Sequence, residues 1–395
     1  MPATFDIATA RQRFPSLNQS QVFLDNAGGS QVLGDVIESI TQYLSKTNVQ
    51  LGASYDVGKI SNSKYEEGYQ AAAKYMNADR DEIVLGASTT QLFMNLAGAL
   101  NFNEGDEIIL SKMEHETNVK PWLFMAKRLK LTVKWWESPK PELKLKPENL
   151  RPLLGPRVKF VACTHASNVL GTIHDIKAIA DVVHEWGALF CVDGVSFAPH
   201  RRIDVRAFGV DFYAMSWYKV YGPRISALYA SRRAQEHITP MPHFFNPTRT
   251  LEDKIGFAAS NYENVQAITP AASYLTSDPS AFDAITTHEG KLQKILLDFL
   301  TSRSDITVHG STSSDPAVRL STISFTVQGI SPGELVRKVD QSSNFGIRWG
   351  HIYSKRLCDE VLGLGPEGVV RISMVHYNTE DEIWGLVETL KKALP

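Results

Sequence analysis

Cysteine is the scarcest chemistry in this chain. Its 395 residues hold three, Cys163, Cys191 and Cys358, with no close-spaced pair. That spacing gives neither a disulfide framework nor a metal-ligand cluster, so no metal site is expected. Cys163 and Cys191 fall inside apolar, strand-like runs and read as buried core thiols. No apolar run approaches the length of a membrane span. The start, from Met1 to Ile7, lacks a basic stretch followed by an apolar one. No secretory leader is expected on that ground, and the chain reads as cytoplasmic. An excess of either charge is missing too, since 41 basic and 43 acidic residues leave a net charge of -2. The longest basic clusters, His200-Arg201-Arg202 and Arg232-Arg233, are too short for a nucleic-acid footprint. Neither a nucleic-acid nor a membrane partner is expected. No internal repeat or low-complexity segment is visible.

What is present is an ordinary globular balance, 43% hydrophobic and 21% charged, enough for a sizeable core. The length suits a large domain followed by a smaller one. Short apolar runs alternate with helical patterns: 81–85, a helix over 91–100, 107–110, a helix to about 129, 131–135, 158–164, a helix over 176–186, 188–192, 211–215 and 225–230. Such alternation implies a mainly parallel sheet covered on both faces. Residues 45–62 are polar with isolated glycines and read as a long loop, and a helical pattern follows over 62–76. After Pro240 the texture changes, and helices and strands over 282–394 complete a smaller α+β unit. The expected division is 18–265 for the large domain and 266–395, with 1–17, for the small one.

In sheets of this kind ligands collect beyond the carboxyl ends of the strands. Several reactive side chains sit at such places: His115 after 107–110, Asn168 after 158–164, Asp193 after 188–192 and Lys219 after 211–215. Lys219 lies in Ser216-Trp-Tyr-Lys219-Val-Tyr-Gly-Pro223, an amine between a strand end and a Gly-Pro turn. That placement suits a Schiff-base nucleophile. Gly86-Ala-Ser88-Thr89-Thr90 runs straight into an apolar helix, so backbone N–H groups and three hydroxyls can cradle an anion. A lysine, a buried carboxylate, a stacking ring, an anion cradle and an arginine are what pyridoxal 5'-phosphate requires.

Six ordered segments carry a family likeness. Asn26 after a short strand, Glu-His115-Glu-Thr-Asn118, Ser-Asn168-Val-Leu-Gly171, Val-Asp193-Gly, the Lys219 segment and Arg371-Ile-Ser-Met-Val-His-Tyr-Asn-Thr379 together resemble class V aminotransferases, in their cysteine desulfurase-like branch. The likeness covers roughly residues 18 to 392. It implies a fold-type I enzyme: a large domain with a mainly parallel seven-stranded sheet and a smaller C-terminal α+β domain. It also implies that Lys219 forms the aldimine, that Asp193 pairs with the pyridine nitrogen and that His115 stacks on the ring. Asn168 would bond the phenolic oxygen, while Ser88, Thr89, Thr90 and Ser216 would hold the phosphate. Arg371 would take the substrate α-carboxylate, with Asn26, Arg348 and His351 nearby. A homodimer with active sites at its interface is implied as well.

The departures narrow the chemistry. Desulfurases of this kind carry His before the lysine, where this chain has Tyr218, and a sulfur-accepting Cys in a mobile loop. Here that loop reads Arg348-Trp-Gly-His351-Ile-Tyr353-Ser354, with Tyr353 in place of the Cys. A phenol cannot carry a persulfide. Cys358, five residues on, is a poor substitute. Ala258-Ala259-Ser260 stands where a phosphate-binding Gly-Thr pair is usual, so Arg224 or the hydroxyls at 88–90 would have to compensate. Tyr218, Tyr353, His351, Trp349 and Phe245 are candidate pocket walls. The leading expectation is a lyase that eliminates a β- or γ-substituent from an α-amino acid through a Cα carbanion. The alternatives are a Mannich-type cyclase of fungal alkaloid metabolism, an aminotransferase or epimerase, and a non-catalytic binding protein.

Overall fold

The structure is a computed structural model, and it describes residues 6–241, 248–257 and 260–394. Phe245, Ala258 and Ala259 lie outside the described residues.

Seven strands form the main sheet: β1 (Ile83–Gly86), β2 (Glu107–Ser111), β3 (Thr132–Trp136), β4 (Val158–Thr164), β5 (Leu189–Asp193), β6 (Phe212–Ser216) and β7 (Ser226–Ala230). Their spatial order is β1-β7-β6-β5-β4-β2-β3, and every pair is parallel except the two made by β7. Side chains alternate across a strand, and the cores divide accordingly. Val161, Cys163, Phe190, Val192, Tyr213 and Met215 enter one cluster, with the helices Asp56–Met76, Ile176–His184 and Ile268–Thr276. Phe160, Ala162, Cys191, Phe212 and Ala214 enter the other, under Thr89–Ala99 and Lys120–Leu129. Both faces are covered, which is why these strands read as continuous apolar runs.

A second sheet holds β8 (Ile306–His309), β9 (Thr322–Val327), β10 (Arg348–Gly350) and β11 (Val369–Ser373) in the order β10-β11-β9-β8, all antiparallel. The helices Ala281–Thr301, Pro332–Ser342 and Glu380–Ala393 close its core through Leu292, Leu296, Val339, Leu386 and Leu390. The N-terminal segment is stitched to this layer. Val22–Phe23 pairs in parallel with Phe345–Gly346, Leu24 enters the same core, and Asp25 bridges Ser373. We propose that the division near 265 holds for the main body of the chain, with residues 22–25 tying the two units together.

One expectation is corrected. The loop read over 45–62 is confined to 48–55, because the helix begins at Asp56 and an irregular helical turn spans Tyr43–Thr47. Gly58 lies inside it as a packing residue: a Cβ there would stand 2.7 Å from that of Ala53. Among the described residues no helix is long and apolar enough to cross a membrane.

Candidate active site

The carboxyl ends of β2, β4, β5 and β6 converge, and their last residues line or support one chamber. Its walls are Ser88, Thr89, Thr90, His115, Thr117, Thr164, Asn168, Asp193, Val195, Ser196, Ser216, Tyr218 and Lys219, around about 80 Å³ of space. Through Thr90, His115, Asn168, Tyr218 and Lys219 it opens into a mouth of about 410 Å³. All eight residues foreseen as lysine, ring or phosphate contacts thus share this chamber with Tyr218, Asn168 among them from the loop after β4.

Lys219 ends a single 3-10 turn, Trp217–Lys219, that follows β6 directly. Its ammonium is buried, 3.5 Å from the Ser196 hydroxyl. Burial and, next, Arg371 push its pKa down to about 8, against the opposing pull of Asp193 and Asp25. A fraction of free amine is therefore available near neutrality, far more than an ordinary lysine offers, as a carbonyl-directed nucleophile needs. Asp193 closes β5 and accepts one hydrogen bond, from Val195 N–H at 2.9 Å. Its burial pushes the carboxyl pKa up. A carboxylate this deep calls for a cationic partner. Gly194 after it is obligatory, since a Cβ would overlap the Tyr213 ring at 2.1 Å.

His115 is the N-cap of the turn Glu116–Asn118, and its Nδ1 accepts from Thr117 N–H at 3.1 Å. Burial, with Lys219 and Arg371 nearby, lowers its pKa to about 4, so the ring is neutral and carries its proton on Nε2. Beneath it lies a residue of the same motif whose role the sequence did not disclose, Glu114. One oxygen of this buried carboxyl accepts from Ser111 Oγ and from Thr164 N–H (2.8 Å), the other from Asn118 Nδ2 (2.6 Å). Trp122 Nε1 in turn fixes Asn118 Oδ1 at 2.8 Å. Burial raises the Glu114 pKa to about 8. The chain from Trp122 to Thr164 locks the His115 turn onto the strand beside Asp193.

The anion cradle has its own hidden member. Thr89 Oγ1 and Ser216 Oγ are 2.8 Å apart, and Ser226 Oγ lies 2.7 Å from Ser216. Ser226 faces Ser216 because β6 and β7 pair antiparallel in that register. Ser88 caps the helix Thr89–Ala99, accepting from Gln91 N–H, and Thr90 meets the Thr117 hydroxyl at 3.1 Å. Three buried hydroxyls, one at a helix start and two on the adjoining strands, make a neutral, donor-rich place suited to an anion.

At the mouth, Arg371 on β11 is 1% exposed. It donates to Asn168 O at 3.0 Å and to Asp25 Oδ1 at 2.5 Å, while its Nε has no partner among the described residues. Asp25 also takes Arg348 Nε at 2.7 Å. This carboxylate, unforeseen from the sequence, bridges both arginines. Asn26 is occupied internally: its amide bonds Phe23 O, Ser373 O and Asn378, and its Oδ1 accepts from Tyr377. His351 turns to Asp359 at 3.0 Å and is not among the residues lining the mouth.

Asn168 is spanned by the 351–354 loop. Its Nδ2 donates to Ile352 O (2.9 Å) and its Oδ1 accepts from Ser354 Oγ (3.0 Å). Ile352 and Tyr353 have φ of 50° and 59°, a left-handed pair that costs energy in residues with a Cβ, most of all a β-branched one. Tyr353 is 66% exposed, tilted 43° to the His115 ring at 5.4 Å. Cys358 is buried, with its thiol raised to about 12, and lines neither cavity. Tyr218, its phenol pKa raised by burial, lines both chamber and mouth and carries the Arg224 guanidinium over its ring at 5.3 Å.

An amine poised near 8, a deep carboxylate short of a cation and a hydroxyl cradle fit a phosphorylated, pyridine-bearing aldehyde. The comparisons agree. The family model "Aminotransferase class-V" matches residues 22–386. The chain is 53% identical, over 99% of both proteins, to "Aminotransferase-like protein FGM3" of Gibberella zeae. It is 36% identical to "Cysteine desulfurase-like protein ustD" of Aspergillus flavus, over 96% of this chain and 88% of that one. The fold matches a cysteine desulfurase of Thermococcus onnurineus with a TM-score of 0.90, at 23% identity, over 100% and 99% of the two chains. On this footing the chain belongs to the class V aminotransferases, enzymes that use pyridoxal 5'-phosphate.

Proposed function

We propose that this enzyme is an α-amino-acid lyase that removes a β- or γ-substituent, and that it does not form a persulfide. Bound pyridoxal phosphate supplies an electron sink that acidifies the Cα–H of an amino acid. Lys219 Nζ would hold the cofactor covalently, Asp193 its ring nitrogen, His115 its face, Asn168 its phenolic oxygen, and Ser88, Thr89, Thr90 and Ser216 its phosphate. Arg371 would take the α-carboxylate. Lys219 Nζ then takes the Cα proton. The Tyr218 hydroxyl, kept protonated by burial, gives a proton to the group leaving with its bonding pair. With one water consumed, an elimination yields a 2-oxo acid, ammonia and the protonated leaving group.

The observation that carries this reading is the pairing of a neutral-capable Lys219 with a protonated Tyr218 in one cavity that no thiol lines. Tyr353, exposed at the rim, supports it as a wall rather than a sulfur carrier. The cyclase is retained as a second reading on one observation: Gly28, Tyr218, Arg224 and Arg348 also line an adjoining groove of about 750 Å³, roomy enough for a bulky acceptor. A panel of amino acids with β- and γ-leaving groups, followed by product mass, separates these. Elimination releases ammonia; cyclisation keeps the nitrogen. Sulfide transfer from cysteine through a protein persulfide would refute both. We further propose a homodimer, supported by exposed Ile37, Leu44, Tyr55 and Ile60 on successive segments of one region.

A further inference from the structure

The mouth holds more positive charge than one amino acid requires. Arg371, Arg348, Arg224 and Lys219 all line it, and no carboxylate is among its walls. Among the described residues the one acid paired with these arginines, Asp25, has its two oxygens taken by Arg371 and Arg348. Arg224 has no ion-pair partner among the described residues and rests over the Tyr218 ring. Two guanidinium groups share the Asp25 carboxylate and the third, Arg224, has none, which leaves an excess of two charges, and an α-carboxylate answers only one. Neither Arg224 nor Arg348 lines the hydroxyl chamber, which argues for an anion other than the cofactor's phosphate. A cationic substrate side chain would be repelled at this short range.

We infer that Arg224, together with Arg348, is a second anion subsite, and that the ligand it takes is a carboxylate distal to the reacting Cα. The carboxylate belongs either to the side chain of an acidic α-amino acid or to a separate carboxylate co-substrate. This rests on the reading of Arg371 as the α-carboxylate contact. Arg224 is well suited to a specificity role: the Gly222-Pro223 turn before it is stiff, and a guanidinium over an aromatic face is held without being neutralised.

The test uses cofactor-loaded protein. Aspartate and glutamate are titrated against asparagine and glutamine by visible absorbance, and glutarate against butyrate by calorimetry, with cationic amino acids as controls. The acids should half-saturate at least about tenfold lower than their amides, as loss of a charge-assisted contact implies. Arg224→Gln should erase that preference and Arg224→Lys should keep part of it, both with unchanged melting temperature. If the amino acids show no preference but glutarate binds in an Arg224-dependent way, the carboxylate sits on a second molecule and the subsite stands. Equal binding of acidic, neutral and cationic amino acids, with glutarate indifferent to Arg224→Gln, overturns it. Failure of the functional reading looks different: no amino acid of any kind would perturb the chromophore.

Discussion

The chamber and the mouth of this site are built by different means. The chamber is written into the main sheet: Asp193, Ser216 and Thr164 end neighbouring strands, Ser226 faces Ser216 by register, and Glu114 ties the His115 turn to β4. The mouth is assembled from distant places: Arg371 and the 348–354 loop, tied by ion pairs to Asp25 behind them, a strained backbone at 352–353, and Arg224 resting on the Tyr218 ring. The difference assigns labour. Chemistry that must not vary is set by sheet geometry, whereas selection of the substrate is left to side chains that can change without disturbing the sheet.

The comparison breaks most severely at Lys219. Lys219→Ala should remove the cofactor chromophore and lower turnover roughly 10²–10⁴-fold from lost proton transfer alone, while circular dichroism stays native. In the wild-type apoprotein, reductive trapping of a carbonyl should rise with pH through about 8. The unfolded lysine titrates near about 10.4, so between these values the unfolded chain holds more protons. Stability of the apoprotein therefore increases with pH across that window. Next comes Glu114→Ala, which strands Ser111, Asn118 and Thr164 N–H in the interior. A cost of about 3 kcal/mol in denaturant unfolding is expected, along with a cofactor that dissociates faster. Glu114→Gln should be intermediate, because Trp122 holds Asn118 with its amide donor toward this site. Tyr218→Phe should keep the chromophore and lower kcat by roughly tenfold or more, the loss appearing in kcat rather than KM. The smallest effect belongs to the mouth: Ile352→Gly should change stability by no more than about 1 kcal/mol, since relief of the left-handed strain offsets glycine's entropy.

The legible part of the molecule was the sheet and what hangs from its strand ends. Asp193, Asn168, His115 and Lys219 could be read because each follows an apolar run, and runs of that length have one place to go. Ser226 could not, since its importance comes only from an antiparallel pairing ten residues from Ser216. Asp25 was hidden by range, because its partners lie more than 320 positions away. Glu114 was visible in its motif, but its four-residue lock depends on Thr164 from another strand. Asn26 and His351 stood beside reactive neighbours in sequence yet are held elsewhere, Asn26 by Ser373 and Tyr377 and His351 by Asp359. The early helix start at Asp56 escaped because polar residues cover its outer face and glycine interrupts its pattern.

The Asp25 bridge makes carboxylate capture an exchange rather than an addition. An incoming acid must share or replace a contact that the protein already satisfies, so much of the favourable term is cancelled before binding begins. On the proposed role of Arg371, apparent affinity would be modest on that account and departure correspondingly quick, because the resident carboxylate can retake both arginines. Such a site trades tight holding for turnover, and its discrimination is left to whatever lies at the substrate's other end.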